Sequence, residues 1–276
     1  MTLNTPQNPQ ADQMADESMV RTLDAQARAI WPQEVQLIDR YELPPNPRIL
    51  DAGSGTGEGS SRLAAHFPGS HVLGVDVIEE NLTRARARVN LAGLAPRVSF
   101  EKRSAYDLQL PAQSFDLTVC RHVLHTIPEP QRVVAELARV TRRGGYLHLL
   151  AEDYGMIHFE QRAEELDDFW LAVTREFTAR SGIDMRSGRN VFAMAATAGL
   201  ERIAVNYVIV DTVRVPREVF ADILVAWRDG FAQPCAEVTG MPLERVVGYF
   251  ESMIGQVRDP LHYAVWMVPI ISARVP

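Results

Sequence analysis

An apolar run, Ser114-Phe115-Asp116-Leu117-Thr118-Val119-Cys120, leads into Arg121-His122-Val123-Leu124-His125, and a second run, Tyr146 to Ala151, leads into Glu152, Asp153 and Tyr154. Imidazole titrates near neutrality, so His122 and His125, with the acids and phenol nearby and His158 a little further on, form a set able to take a proton from a hydroxyl or an amine. Which of them serves as a base stays open from the sequence. Both runs have the composition of strands, and open α/β sheets gather their reacting groups at the carboxyl ends of strands beside the topological switch. His148 lies inside an apolar run and reads as a satisfied core residue, while His66 and His71 fall at the opposite edge of such a sheet.

A second set of residues has the character of a ligand cradle. Arg48-Ile49-Leu50 reads as a buried strand that passes through Asp51-Ala52 into Gly53-Ser54-Gly55-Thr56-Gly57 and then a helix from Ser60 to Phe67. Glycines allow positive φ and a close approach of ligand to backbone, and the helix start adds free amides and the positive end of a dipole. The spacing is not the Gly-x-Gly-x-x-Gly of dinucleotide sites and lacks the Lys-Ser/Thr ending of a nucleoside-triphosphate loop. Another apolar run, His71 to Val75, ends at Asp76, about 20 residues past the glycines, where a doubly wound fold presents an acid to a ribose.

The elements that would position these groups follow in order. Ser18 to Tyr41 carries apolar residues at helical spacing, with Pro32 predicting a break between two helices. Pro44, Pro45 and Pro47 link it to the first strand. Glu79 to Leu91 reads as an amphipathic helix, Arg97 to Glu101 as a third strand, Gln131 to Val140 as a helix ended by Arg142-Arg143-Gly144-Gly145, and Tyr146 to Ala151 as a fifth strand. The alternation of strand and helix from Arg48 to Tyr154 predicts a parallel sheet with right-handed crossovers. Beyond it come helices over Glu160 to Thr178 and Asn190 to Gly199, a sixth strand over Ile203 to Val210, helices over Pro216 to Phe231 and Pro242 to Ile254, and a last strand over Tyr263 to Val268.

The motif Asp51-x-Gly53-x-Gly55-x-Gly57, Asp76, the Ser114-Phe115-Asp116 entry, the Arg121-to-His125 turn and Arg143-Gly144-Gly145 together resemble the class I S-adenosylmethionine-dependent methyltransferases, in particular the small-molecule branch typified by ubiquinone/menaquinone methyltransferases. The resemblance spans about Gln26 to Tyr154. It implies an α/β, Rossmann-like seven-stranded sheet with helical lid insertions, its last strand antiparallel at the sheet edge. It also implies S-adenosyl-L-methionine as cofactor, held by Asp51, Gly53, Ser54, Gly55, Gly57, Asp76, Val77, Ser104, Ala105, Tyr106, Arg121 and His122. Catalytic candidates are His122, His125, Glu152, Asp153 and Tyr154; substrate-binding candidates are Trp31, His158 and Trp170. N-terminal helices often cover the cofactor in this family, which also makes Arg28 a pocket candidate. The chain departs from the family pattern at Ser104, where an acid usually accepts a proton from the adenine amino group, and at His125, where Glu is usual.

At 276 residues with 46% hydrophobic content, the chain is long enough for one elaborated domain. The expected organisation is a flexible leader over 1–17, N-terminal helices and the cofactor-binding core over 18–155, a helical insertion over 156–200, and a C-terminal part of the sheet with a second insertion over 201–276. A net charge of −7 gives no basic footprint for nucleic acid, and the two cysteines suggest neither disulfides nor a metal cluster. No run has the length of a membrane span or the character of a signal peptide, so a cytoplasmic protein is expected, with a small-molecule methyl acceptor and a homodimer among its partners. The expected reaction is methyl transfer to an N or O atom of a small metabolite, the Glu152-Asp153 pair tilting towards a cationic amine. A C-methyltransferase and a non-catalytic cofactor-binding regulator or partner subunit are the alternatives.

Overall fold

The computed structural model describes residues 16–160 and 166–276; most of the expected leader lies outside the described residues. A long helix α1 (Glu17–Ile38) opens the described chain, capped by the Asp16 carboxylate, which accepts from the Ser18 amide. Then come β1 (Arg48–Ala52), α2 (Glu58–His66), β2 (His71–Asp76), α3 (Glu79–Leu91), β3 (Val98–Lys102), β4 (Phe115–Arg121), α4 (Pro130–Val140) and β5 (Thr141–Leu150). After a 3-10 turn at Tyr154–Met156 follow β6 (Ile157–Phe159), α5 (Leu166–Ser181), α6 (Val191–Thr197), β7 (Glu201–Asp211), α7 (Arg217–Thr239), α8 (Leu243–Arg258) and β8 (Ala264–Arg274).

The sheet runs β3-β2-β1-β4-β5-β8, with β7 on the outer side of β8 and β6 pairing β8 beyond the end of β5. β1 to β5 are mutually parallel, and the order reverses between β1 and β4. That reversal leaves a crevice where the two connections leave in opposite directions.

Three apolar cores hold these layers. Leu63, Leu82, Ala85 and Val89 of α2 and α3 pack on one sheet face against Ile49, Val72 and Phe100. On the other face, Val133, Val134 and Leu137 of α4 pack with Leu50, Cys120, Leu147 and Leu149. The third core joins α1, α5, α7 and α8 to β7 and β8 through Ile30, Phe169, Trp227, Phe250 and Trp266. The spacing of these apolar residues puts each set on one helix face, and burying each such side chain contributes roughly 1.5–3 kcal/mol.

Four expectations are corrected. Pro32 does not divide α1, which runs unbroken through it. Ile30, Glu34 and Ile38 are all buried on either side of the proline, and that packing outweighs one lost helical hydrogen bond. Arg142 to Gly145 does not end α4: it forms an irregular stretch inside β5, where the pairing register with β4 shifts between Phe115 and Leu117. The last strand is antiparallel but internal, since the longer β7 pairs along its outer side and becomes the edge. α7 continues past Phe231 through Pro234 to Thr239, and the short β6 is an addition that the sequence reading had not placed.

Candidate functional site

The carboxyl ends of β1, β2, β4 and β5 converge at the switch point and bring the two residue sets of the sequence together. Gly53, Gly55 and Gly57 all adopt positive φ, at 76°, 51° and 76°. A Cβ on Gly53 would meet Val123 Cγ2 at 2.2 Å, so only glycine lets the loop close against the turn after β4. Asp76 braces the loop from the next strand: its carboxylate accepts from the Gly55 amide at 2.8 Å and the Ile78 amide at 2.9 Å. A carboxylate has about four acceptor positions, so capacity remains for a hydroxyl donor. Burial raises the Asp76 carboxyl above its ordinary value despite these amides.

Asp51 lies beneath the loop, accepting from Ser60 Oγ at 2.6 Å. Burial raises it as well; the Ser60 hydroxyl and the nearby Arg121 guanidinium offset this only in part. Arg121 is itself held from below by Glu34 of α1, whose carboxylate lies 2.8 Å from both Nε and Nη2. Glu34 is completely buried and also 3.1 Å from His148 Nε2, while His148 Nδ1 pairs with the Tyr41 hydroxyl at 2.7 Å. Burial works to raise Glu34, but Arg121 and His148 outweigh it and hold the carboxyl down at about 2. His148 is thus the satisfied core residue that its sequence context suggested.

Glu152, at the end of β5, is the centre of a third cluster. One carboxylate oxygen bonds His122 Nδ1, and the other lies 2.6 Å from His125 Nδ1 in an ion-pair contact outside hydrogen-bond alignment. Burial would raise this acid, yet the two imidazoles win and hold it well below the usual carboxylate range. A carboxylate at Nδ1 selects the tautomer with its proton there and leaves Nε2 with a free lone pair. His122 also sits at φ 60°, a left-handed conformation that a non-glycine residue keeps only where surrounding contacts impose it.

Two adjoining cavities meet at this cluster. The first is lined by Asp51, Gly53, Ser54, Gly55, Thr56, Glu58, Gly59 and Arg121, with Leu23 and Ala27 of α1 above. The second is lined by His122, His125, Thr126, Glu152, Tyr154 and Met185, with Met19, Thr22, Leu23 and Gln26 of α1 and Trp227 and Phe231 of α7. Leu23 and His122 line both. A narrow polar cradle and a mainly apolar chamber therefore share a wall that carries an imidazole.

Other predicted residues lie elsewhere. Asp153 is buried in a two-pronged pair with Arg189, at 2.6 and 2.8 Å, and also accepts from the Gly155 amide, so its carboxylate braces the turn after β5 rather than facing a ligand. Tyr154 does line the chamber, but burial pushes its phenol well above its ordinary value, which keeps it protonated. Trp170 is buried behind Tyr154, stacked at 5.1 Å in the third core. His158 sits on β6 with 46% of its side chain exposed, paired with Asp167. Trp31 packs edge-on to His66 between α1 and α2, and Arg28 is an exposed partner of Asp222. Val77 is 41% exposed. Ser104 Oγ accepts from the Tyr106 amide, and Ala105 and Tyr106 pack against the α4 core, the Tyr106 hydroxyl donating to the Pro128 carbonyl.

Residues 50–149 match the family model described as a methyltransferase domain. A phosphatidylethanolamine N-methyltransferase of Cereibacter sphaeroides is 37% identical over 42% of this chain and 57% of its own length. The chain spans between about a third and about three-fifths of the length of the first curated relatives it matches, which include O- and C-methyltransferases as well. Among solved structures, a phosphoethanolamine N-methyltransferase of Haemonchus contortus in complex with S-adenosylhomocysteine superposes with a TM-score of 0.61 at 19% identity, over 96% of this chain and 60% of that one. The [4+2]-cyclase SpnF superposes with a TM-score of 0.63 at 22% identity, over 99% and 97% of the two chains. Residues 50–149 thus match a methyltransferase domain, and the chain has the Rossmann-like fold of the solved structures it superposes on.

Proposed function

We propose that the protein moves a methyl group from S-adenosylmethionine to a hydroxyl oxygen of a small, largely apolar organic molecule. The observation that carries this reading is His122, which lines both cavities while buried Glu152 holds its Nδ1. The glycine cradle fits the cofactor: Asp76 has acceptor positions for ribose hydroxyls, and Asp51 offers a buried, under-neutralised carboxylate for an ammonium group. Bound there, the cofactor supplies an electrophilic methyl on a sulfonium sulfur.

The residues of the chain then have three tasks. The chamber walls would hold the acceptor oxygen towards the cradle and keep water out. His122 Nε2 would take the proton that the acceptor hydroxyl gives up. Glu152 holds the imidazole in the correct tautomer and stabilises the imidazolium that results. His125, on the other oxygen of Glu152, supports that orientation.

The preference for oxygen over a cationic amine comes from the acids. Both oxygens of Glu152 are taken up by imidazole Nδ1 atoms and Asp153 is paired with Arg189, so neither carboxylate is free to receive an ammonium. N-methylation stands as a second reading, favoured by Tyr154, Trp227 and Phe231 in the chamber wall, whose ring faces attract cations. We assign α1 and α7, with Met185 of the first helical insertion, as the cover of the acceptor chamber.

The test is turnover of labelled S-adenosylmethionine with a panel of phenols, alcohols and amines, using wild type and His122→Ala. O-methyl products formed by wild type, with a loss of about 10²–10⁴-fold in the variant, support the reading. N-methyl products select the second reading. Tight cofactor binding without any methyl product leaves a non-catalytic binding protein, or another reaction on the same fold.

A further inference from the structure

We infer that Gln26 is a specificity-determining residue whose carboxamide hydrogen-bonds a second oxygen function of the acceptor, so that the preferred acceptor carries a hydroxyl together with a second hydroxyl or a carbonyl on an apolar frame. The inference deepens the proposed reaction and rests on the assignment of the apolar chamber to the acceptor.

The argument starts from α1. Its chamber face carries Met19, Thr22, Leu23 and Gln26, spaced so that they fall on one side of the helix. Gln26 is 3% exposed. A buried carboxamide ordinarily finds partners for its two N–H donors and its oxygen. The other two glutamines of the same helix do so: Gln33 pairs with both the carbonyl and the amide of Ile209, at 2.8 and 3.1 Å, and Gln36 donates to the Pro32 carbonyl at 3.0 Å. Gln26 has no hydrogen-bond partner among the described residues, and it lines the chamber.

The two threonines of the chamber are already occupied. Thr22 donates its hydroxyl to the Ser18 carbonyl and Thr126 to the Val123 carbonyl. Both histidines have Nδ1 against Glu152. What the chamber offers a guest is thus an imidazole Nε2 for the proton that leaves, the Tyr154 hydroxyl and the Trp227 Nε1 donor, and one carboxamide able both to donate and to accept. The rest of its wall is Met19, Leu23, Met185, Trp227 and Phe231. A guest with a single hydroxyl would leave Gln26 unpaired in an apolar enclosure, which is the circumstance in which sites discriminate most strongly.

The test uses protein loaded with S-adenosylhomocysteine and titrated calorimetrically with phenol, catechol, resorcinol and hydroquinone, so that three placements of the second oxygen are sampled. Wild type should bind the best of the three diols at least tenfold more tightly than phenol. Gln26→Met, which preserves length and volume, should bring that ratio within twofold by weakening the diol while leaving phenol unchanged. Gln26→Glu, which keeps an acceptor oxygen at the same reach, should retain part of the preference and serves if the Met variant does not fold. Equal binding of phenol and diols by wild type, equal weakening of both in Gln26→Met, or no binding of any probe would overturn the assignment. Methyl transfer is read separately with the same compounds: a diol preference without methylated product overturns the proposed reaction and leaves the Gln26 assignment intact.

Discussion

Glu34, Glu152, Asp51 and Asp76 stand around the carboxyl ends of the strands, and they divide into two pairs that behave oppositely. Glu34 faces Arg121 and His148, Glu152 faces the Nδ1 atoms of His122 and His125, and both are held far below their ordinary values. Asp51 and Asp76 lie on the glycine side with hydroxyl and amide donors but without a full counter-charge, and both are raised. All four are desolvated, so burial alone does not separate them; the basic side chains paired directly with the first two do. The first pair positions side chains, whereas the second retains unmet demand for donors, which is what a site awaiting a ligand offers.

The comparison breaks most sharply at Glu152. Glu152→Gln keeps the shape but removes the charge that fixes the His122 tautomer, and should lower kcat by about 10²–10³-fold with cofactor affinity unchanged. Single-turnover methyl transfer beside cofactor calorimetry reads both quantities. A fall in cofactor affinity equal to the fall in kcat would erase the distinction between the pairs.

Asp76 should respond in the opposite manner. Asp76→Ala removes the remaining acceptor capacity and should weaken cofactor binding by about 10–100-fold, the weight of hydrogen bonds to a charged group. Its pH dependence has a definite sign. A raised carboxyl that gains ribose donors must lose its proton on binding, so cofactor affinity falls as pH drops through the raised value, and binding in that range releases protons measurable by calorimetry in buffers of different ionisation enthalpy.

The smallest effect concerns stability. A depressed carboxyl contributes stability above its unfolded value near 4.5 and loses it as pH falls towards the folded value, about 2 for Glu34. The destabilisation caused by Glu34→Gln in urea unfolding should therefore be full at pH 7 and shrink steadily between pH 4.5 and 2. A constant difference across that range would mean that the Arg121 pairing does not set the Glu34 charge.

Much of the core was legible in advance. The bounds of α3 and the order of strands and helices from β1 to β5 followed from periodicity, and the cradle from three glycines framed by Asp51 and Asp76. Asp153 and Glu152 are adjacent and chemically alike, yet one braces Arg189 and the other orients two histidines; sequence has no means of separating them, because the partner of Asp153 lies 36 residues away. Gln26 was missed for a related reason. It falls within an amphipathic helix whose apolar members Leu23, Ala27 and Ile30 carried the signal, and a buried polar residue in such a stripe looks like a break in the pattern.

Local chemistry is what the sequence determined by itself: the glycine loop, the acids at strand ends and the histidines after β4 follow from backbone sterics and short-range periodicity, which need no distant partner. Tertiary structure decided which acids are neutralised, which helix covers the cradle and which aromatic rings line the chamber. Those outcomes depend on contacts such as Glu34 with Arg121, 87 residues apart, and on the burial that turns a carboxylate either into a clamp for a neighbouring side chain or into an open site for a ligand.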